Sequence, residues 1–148
     1  FRVRGIAASS ASLLLCGGRE VLVHPAAFWM AHRPWSLVAG DADDLRAEAA
    51  LLEKVGSTDA EVYARFSGQP VDRVAAWLAA ETWLSADEAV ALGFADALDT
   101  EAEPEAPSPA DYSEFEGAPA ALKRLAVEAG WASVSPAREG ETLDENRT

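Results

Sequence analysis

The sequence is poor in the residues that build covalent and metal-bound frameworks. Its 148 residues include one cysteine, Cys16, and two histidines, His24 and His32. A single cysteine cannot form an intrachain disulfide, and this set of residues has no metal-ligand spacing. The sequence therefore predicts neither a disulfide scaffold nor a metal site.

Long apolar runs and positive charge are also scarce. The apolar runs are too short to cross a bilayer and no signal peptide is visible, so we expect a cytoplasmic protein. Acidic residues outnumber basic ones by 25 to 12, which gives a formal charge of −13. This charge argues against nucleic acid or an anionic membrane as a partner. The apolar fraction of 49% is typical of a globular domain with a real core.

A corner of small residues near the N-terminus is the first candidate site. Residues 1–6 alternate apolar and polar side chains and predict a strand, and Ala7 and Ala8 then allow a sharp turn. Ser9 follows at the start of a predicted apolar helix, which ends at a glycine pair. Backbone N–H groups gather at a helix start and can stabilise an oxyanion beside a nucleophile. Ser9 is thus either a nucleophile or an ordinary helix cap.

The histidines follow two predicted short strands, 20–23 and 28–31. His32 lies where the second strand gives way to a loop, since Pro34 stops regular pairing. Residues that carry out chemistry often lie at strand ends. A structural role stays open for His32, as it does for His24.

Helical patterns dominate from residue 41 to residue 93. An apolar stripe predicts a helix over 41–66 with an interruption at 56–58, and a second helix begins at Pro70 and closes at 81–82. Ser85 and Glu88 form a capping box for a brief helix, which Gly93 ends. Residues 94–98 then predict a closing strand.

The composition changes at residue 99. Residues 99–118 are rich in Glu, Pro and Ala and predict a disordered acidic linker. Residues 119–132 predict an amphipathic helix, and residues 133–148 predict a disordered tail. The peptidase-like part would therefore be residues 1–98.

Three motifs, in this order, resemble the proteolytic subunit of the Clp protease, and especially its phage relatives, the head maturation (prohead) proteases. The motifs are Gly5-x-Ala7-Ala8-Ser9, then Met30-Ala31-His32-Arg33-Pro34, then Ser67-Gly68-Gln69 followed by Glu81-x-Trp83-Leu84-Ser85-Ala86. The resemblance runs from about residue 5 to residue 96.

The resemblance implies an α/β, crotonase-like fold and a serine endopeptidase without metal or organic cofactor. It makes Ser9 the nucleophile, His32 the general base and Glu81 the third triad member, where the family usually has Asp. The Ser10 N–H would be one oxyanion donor. Because the chain starts at Phe1, inside a strand, we expect that the family's N-terminal part is missing. The fragment alone should then be inactive, since the second oxyanion donor lies in that part.

The same resemblance implies capsid or scaffold proteins as substrates, in the host cytoplasm or the phage prohead. It also implies a homo-oligomeric ring assembled through the helix at 41–66. Two alternatives stay open: an acyl-CoA enzyme of the crotonase type on the same fold, and a non-catalytic shell or scaffold component.

Overall fold

Two small sheets and five α-helices make up the part of the chain that the computed structural model describes, which is residues 1–101, 103 and 109–132. The elements in chain order are β1 (Arg2–Val3), β2 (Ile6–Ala8), α1 (Ser10–Leu15), β3 (Leu22–Val23), β4 (Phe28–Ala31), α2 (Ala42–Ser67), α3 (Val71–Ala79), β5 (Thr82–Ser85), α4 (Ala86–Ala91), β6 (Ala97–Leu98), a 3-10 turn (Tyr112–Glu114) and α5 (Ala120–Glu128). The fold is mixed α/β, as the sequence predicted.

The strands form one sheet of order β1-β3-β6 and a second of order β2-β4-β5. All pairs are parallel except β4 with β5. The single strand predicted for residues 1–6 is wrong, because its two halves belong to different sheets. The Val3 carbonyl accepts a hydrogen bond from His24, whereas the Gly5 carbonyl accepts one from Phe28, so the chain bends between them.

The strand β5 was not predicted, because the pattern favoured a helix that closes at 81–82. The helix α3 instead ends at Ala79, and Glu81 adopts a positive φ of 50° that turns the chain into β5. The strand predicted at 94–98 is reduced to Ala97–Leu98. Its first residues, Phe94 and Ala95, donate instead to the carbonyl of Ala89 in α4.

Helix α2 runs without a break through the predicted interruption at 56–58. Ser57 and Thr58 turn their hydroxyls back onto the carbonyls four residues earlier, which keeps them compatible with a helix. Gly56 lies beside Pro34, where an added Cβ would make only an ordinary contact of 3.4 Å. The capping box of Ser85 and Glu88 is confirmed at the start of α4.

The second sheet separates two hydrophobic clusters, because alternate side chains of a strand point to opposite faces. Trp29 and Leu84 face the main cluster, where the Trp29 ring packs 4.3 Å from Phe94 and 5.4 Å from Tyr63 between centroids. Phe28 and Trp83 face the other way, toward a smaller cluster formed by the C-terminal residues.

The C-terminal residues depart in part from the expected linker. Within 109–118, Tyr112 and Ala118 are buried and Phe115 is half-buried. These side chains pack against the apolar face of the second sheet. Residues 102, 104–108 and the predicted tail at 133–148 lie outside the described residues. No helix in the described ranges is both long and apolar enough to span a membrane.

Candidate active site

Ser9 lies at a strained corner between β2 and α1. Its φ of 57° and ψ of −125° are rare for a residue with a side chain, and such strain typically costs about 1–3 kcal/mol. Its backbone N–H donates to the Met30 carbonyl at 3.0 Å. The corner therefore persists because its surroundings hold it, and it turns the serine hydroxyl out of the strand.

A buried hydroxyl pair beneath the corner supports Ser9. The Ser12 hydroxyl, which is fully buried, lies 2.7 Å from the carbonyl oxygens of both Ser9 and Met30. The Tyr63 hydroxyl lies 2.8 Å from Ser12 Oγ and donates to the Ser9 carbonyl at 3.3 Å. Burial raises the pKa of Tyr63, so it keeps its proton as a donor at neutral pH. Sequence reasoning missed both residues, since each is part of an apolar stretch.

His32 follows directly after β4, and its Nε2 lies 2.9 Å from Ser9 Oγ. The parallel pairing of β2 with β4 places Ala8 opposite Met30, so the residues after both strands emerge at the same edge. The next residue, Arg33, donates its N–H to the Leu78 carbonyl, which fixes the loop. His24 lies elsewhere, where its Nδ1 accepts a hydrogen bond from the Ala26 N–H at 3.1 Å.

Glu81 lies across a cavity of about 490 Å³ that His32 also lines. Its Oε1 accepts hydrogen bonds from the Gly117 N–H at 2.9 Å and the Trp83 Nε1–H at 3.1 Å. Among the described residues, no hydrogen bond joins Glu81 to His32. The structure thus brings Ser9 and His32 into contact, while Glu81 lines the same cavity as His32 and is bound to other donors.

Ser10 and Cys16 are two further residues that the sequence analysis considered. Ser10 is the exposed first residue of α1, directly after Ser9. Burial raises the pKa of the Cys16 thiol to about 11, so it is a poor nucleophile at neutral pH. Within the ranges that the structure describes, no group of three or more His, Cys, Asp or Glu residues could hold a metal ion.

A model of the family described as Clp protease matches residues 2–101. The chain belongs to the Clp protease family. Among curated proteins it is similar to the ATP-dependent Clp protease proteolytic subunit 6 of Arabidopsis thaliana chloroplasts, with 32% identity over 96 residues. It is also similar to subunit 3 of Rhodococcus jostii, with 34% identity over 96 residues, and to subunit 1 of Mycobacterium tuberculosis, with 33% over 102 residues.

These matches cover 64%, 62% and 66% of this chain, but only 35%, 46% and 50% of the respective relatives. The chain therefore spans half or less of the length of these Clp relatives. The family resemblance read from the three motifs is confirmed, whereas the narrower phage branch stays a prediction.

Proposed function

We propose that this Clp-family chain is a serine endopeptidase domain in which Ser9 is the nucleophile and His32 the general base. The observation that carries the proposal is the 2.9 Å contact between Ser9 Oγ and His32 Nε2 at a strained strand-to-helix corner. A serine hydroxyl is a weak nucleophile unless an adjacent base accepts its proton. The contact supplies that base.

The proposed reaction is acyl transfer. Ser9 Oγ attacks a peptide carbonyl carbon while His32 Nε2 takes the hydroxyl proton. The C–N bond then breaks, and His32 returns the proton to the leaving amine. Water, activated by the same imidazole, hydrolyses the acyl-enzyme and restores Ser9. The Ser10 N–H is the proposed oxyanion donor, and Glu81 is the proposed acid that orients His32.

The test is covalent labelling with a fluorophosphonate, which reacts with activated serines. Labelling of the chain, joined to the N-terminal part expected from the family resemblance, should disappear in Ser9→Ala and fall strongly in His32→Ala. Ser10→Ala, which keeps its backbone N–H, and His24→Ala are the matched controls and should label normally. Labelling that survives Ser9→Ala would falsify the assignment.

The narrower substrate class rests on the motif resemblance alone. We propose capsid or scaffold proteins as substrates, a crotonase-like topology for the domain, and action in the host cytoplasm or a prohead. Co-expression with the capsid proteins of the same genome should yield a shortened product that Ser9→Ala abolishes.

The acyl-CoA and non-catalytic alternatives are not favoured, since neither needs a serine in contact with a histidine.

A further inference from the structure

The C-terminal segment, defined here as residues 111–132, lies beyond residues 2–101 that match the family and yet covers part of the candidate site. Its buried side chains pack on the outer face of the second sheet, and the cluster consists of Tyr112, Ala118, Leu122 and Ala126 against Ile6, Phe28 and Trp83. Lys123 Nζ donates to the Glu116 carbonyl at 2.9 Å, which ties α5 to the turn that reaches the site. The segment is therefore fixed relative to the sheet.

Two residues of this segment contact the proposed triad. The Phe115 ring meets His32 edge-on at 6.3 Å between centroids and meets Trp83 in the same way at 6.0 Å. The Gly117 N–H donates to Glu81 Oε1 at 2.9 Å. Glu116 and Gly117 also line the cavity that His32 and Glu81 share. The segment thus forms one wall of the site.

The hydrogen bonds on Glu81 are unevenly distributed between its two carboxylate oxygens. Oε1 accepts from both Gly117 and Trp83 Nε1, whereas Oε2 has no hydrogen-bond partner among the described residues. Two donors on one oxygen fix the plane of a carboxylate and leave its second oxygen available as an acceptor. Glu81 and His32 both line the shared cavity.

We propose that Gly117 is a positioning residue: its N–H, together with Trp83, holds Glu81 so that the free carboxylate oxygen can accept a hydrogen bond from His32. This inference rests on the proposed peptidase function. It adds a contribution from outside the family match, since the triad's acid would be held by a residue 36 positions further along the chain.

Gly117→Ala tests the proposal by adding one methyl group. The new Cβ would lie 2.7 Å from the Glu81 carbonyl oxygen and 3.2 Å from Trp83 Cδ1, so the turn must retreat. The φ of Gly117 is not in the left-handed region, so alanine adds no left-handed backbone strain to this close contact. We expect kcat for peptide hydrolysis to fall about tenfold with KM unchanged, as for the loss of one hydrogen bond to a charged group.

Two comparisons separate positioning from general damage. In a Glu81→Ala background, Gly117→Ala should have no further effect on kcat, because the residue through which it acts is gone. Gly17→Ala is the matched control, since its Cβ would make only an ordinary contact of 3.5 Å. An unchanged or increased kcat in Gly117→Ala would overturn the proposal, and an increase would mean that the segment restrains the site.

A second readout does not depend on activity. The amide proton of Gly117, followed by nuclear magnetic resonance in the full chain, should shift upfield in Glu81→Ala because its carboxylate acceptor is lost. A shift identical to that of the unsubstituted protein would overturn the contact. If Ser9 failed to react with a fluorophosphonate, the proposed function would fall, while the Gly117 amide would still decide whether Gly117 holds Glu81.

Discussion

Individual residues hold the Ser9 corner against its own backbone strain. The Ser12 hydroxyl reaches the carbonyl oxygens of Ser9 and Met30, each at 2.7 Å, and so connects the proposed nucleophile to the strand that leads to His32. Tyr63, from α2, completes the group. A buried polar cluster of this kind fixes one geometry when it is fully hydrogen-bonded.

Ser12→Ala should therefore weaken both stability and turnover. It leaves the Met30 carbonyl and the Tyr63 hydroxyl with fewer partners, which typically costs about 1–3 kcal/mol. We expect that loss in urea unfolding, together with a lower kcat and an unchanged KM. Ser57→Ala, at an exposed hydroxyl on α2, is the control and should be close to neutral. Equal effects of the two variants would count against the role of Ser12.

Alkaline pH should destabilise the fold through Cys16 and Tyr63. Burial raises the pKa of Cys16 from 9.0 to about 11, and it raises the pKa of Tyr63 above 10. An acid whose folded-state pKa is raised loses its proton first in the unfolded state, so stability is complete below pH 9 and falls above it. Urea midpoints measured from pH 8 to pH 11 should decline, and Cys16→Ala should flatten the decline between pH 9 and pH 11. A parallel decline in the variant would contradict this reasoning.

The contact between Ser9 and His32 was predicted from the sequence, whereas the catalytic roles given to them and to Glu81 stay predictions. Ser9 and His32 follow β2 and β4, and the parallel pairing of these strands brings the two side chains into contact. The strand before His32 was predicted where it lies, whereas β2 was merged with β1. The hydrogen bond between Gly117 and Glu81 could not be predicted. Gly117 lies in a stretch whose composition predicts a linker, and the sequence around Glu81 does not indicate its positive φ. Ser12 and Tyr63 were missed because their periodic positions look like core.

At the scale of elements, Gly93 couples the end of α4 to the end of α2. It has a φ of 82°, and an added Cβ would overlap the Ser67 carbonyl oxygen. Gly68, the cap of α2, has a similar φ of 73° but no neighbour within 4 Å of an added Cβ. Both glycines therefore adopt the left-handed backbone conformation, but only Gly93 has a neighbour close to where a side chain would lie.

This pair allows strain and close contact to be measured separately. Gly68→Ala should cost about 1–2 kcal/mol, the usual penalty for a side chain in the left-handed region. Gly93→Ala should cost about 3 kcal/mol or more, because overpacking adds to the same strain. Guanidinium unfolding of both variants gives the comparison. Similar losses would mean that α2 moves away from Gly93 easily.

Elements were predicted well where local patterns sufficed and poorly where tertiary pairing decided. The strand at 28–31 and the helix start at Ser85 have the predicted positions. The separation of β1 from β2 depends on two different partner strands, and β5 exists because it pairs antiparallel with β4. The local sequence of a strand does not indicate which other strand it pairs with.

At the scale of the whole molecule, large apolar side chains remain exposed along one region. Trp35 is 75% exposed and Leu37 is 94% exposed in the loop before α2, and Leu45, Leu51 and Val55 are exposed on α2 itself. Large apolar side chains left exposed in number commonly mark an interface. We expect copies of the chain to associate through this region, as the family resemblance implies for the helix at 41–66.

Leu37→Glu tests this association. The substitution places a charge in the expected interface, so sedimentation should show smaller species than for the unsubstituted chain. Val127→Glu adds the same charge at a position that is 67% exposed on α5, outside the region, and should leave the distribution unchanged. Because copies with a net charge of −13 repel one another, salt that screens this repulsion should strengthen an apolar interface. Only monomer at every salt concentration, or equal behaviour of the two variants, would rule out the interface at Leu37.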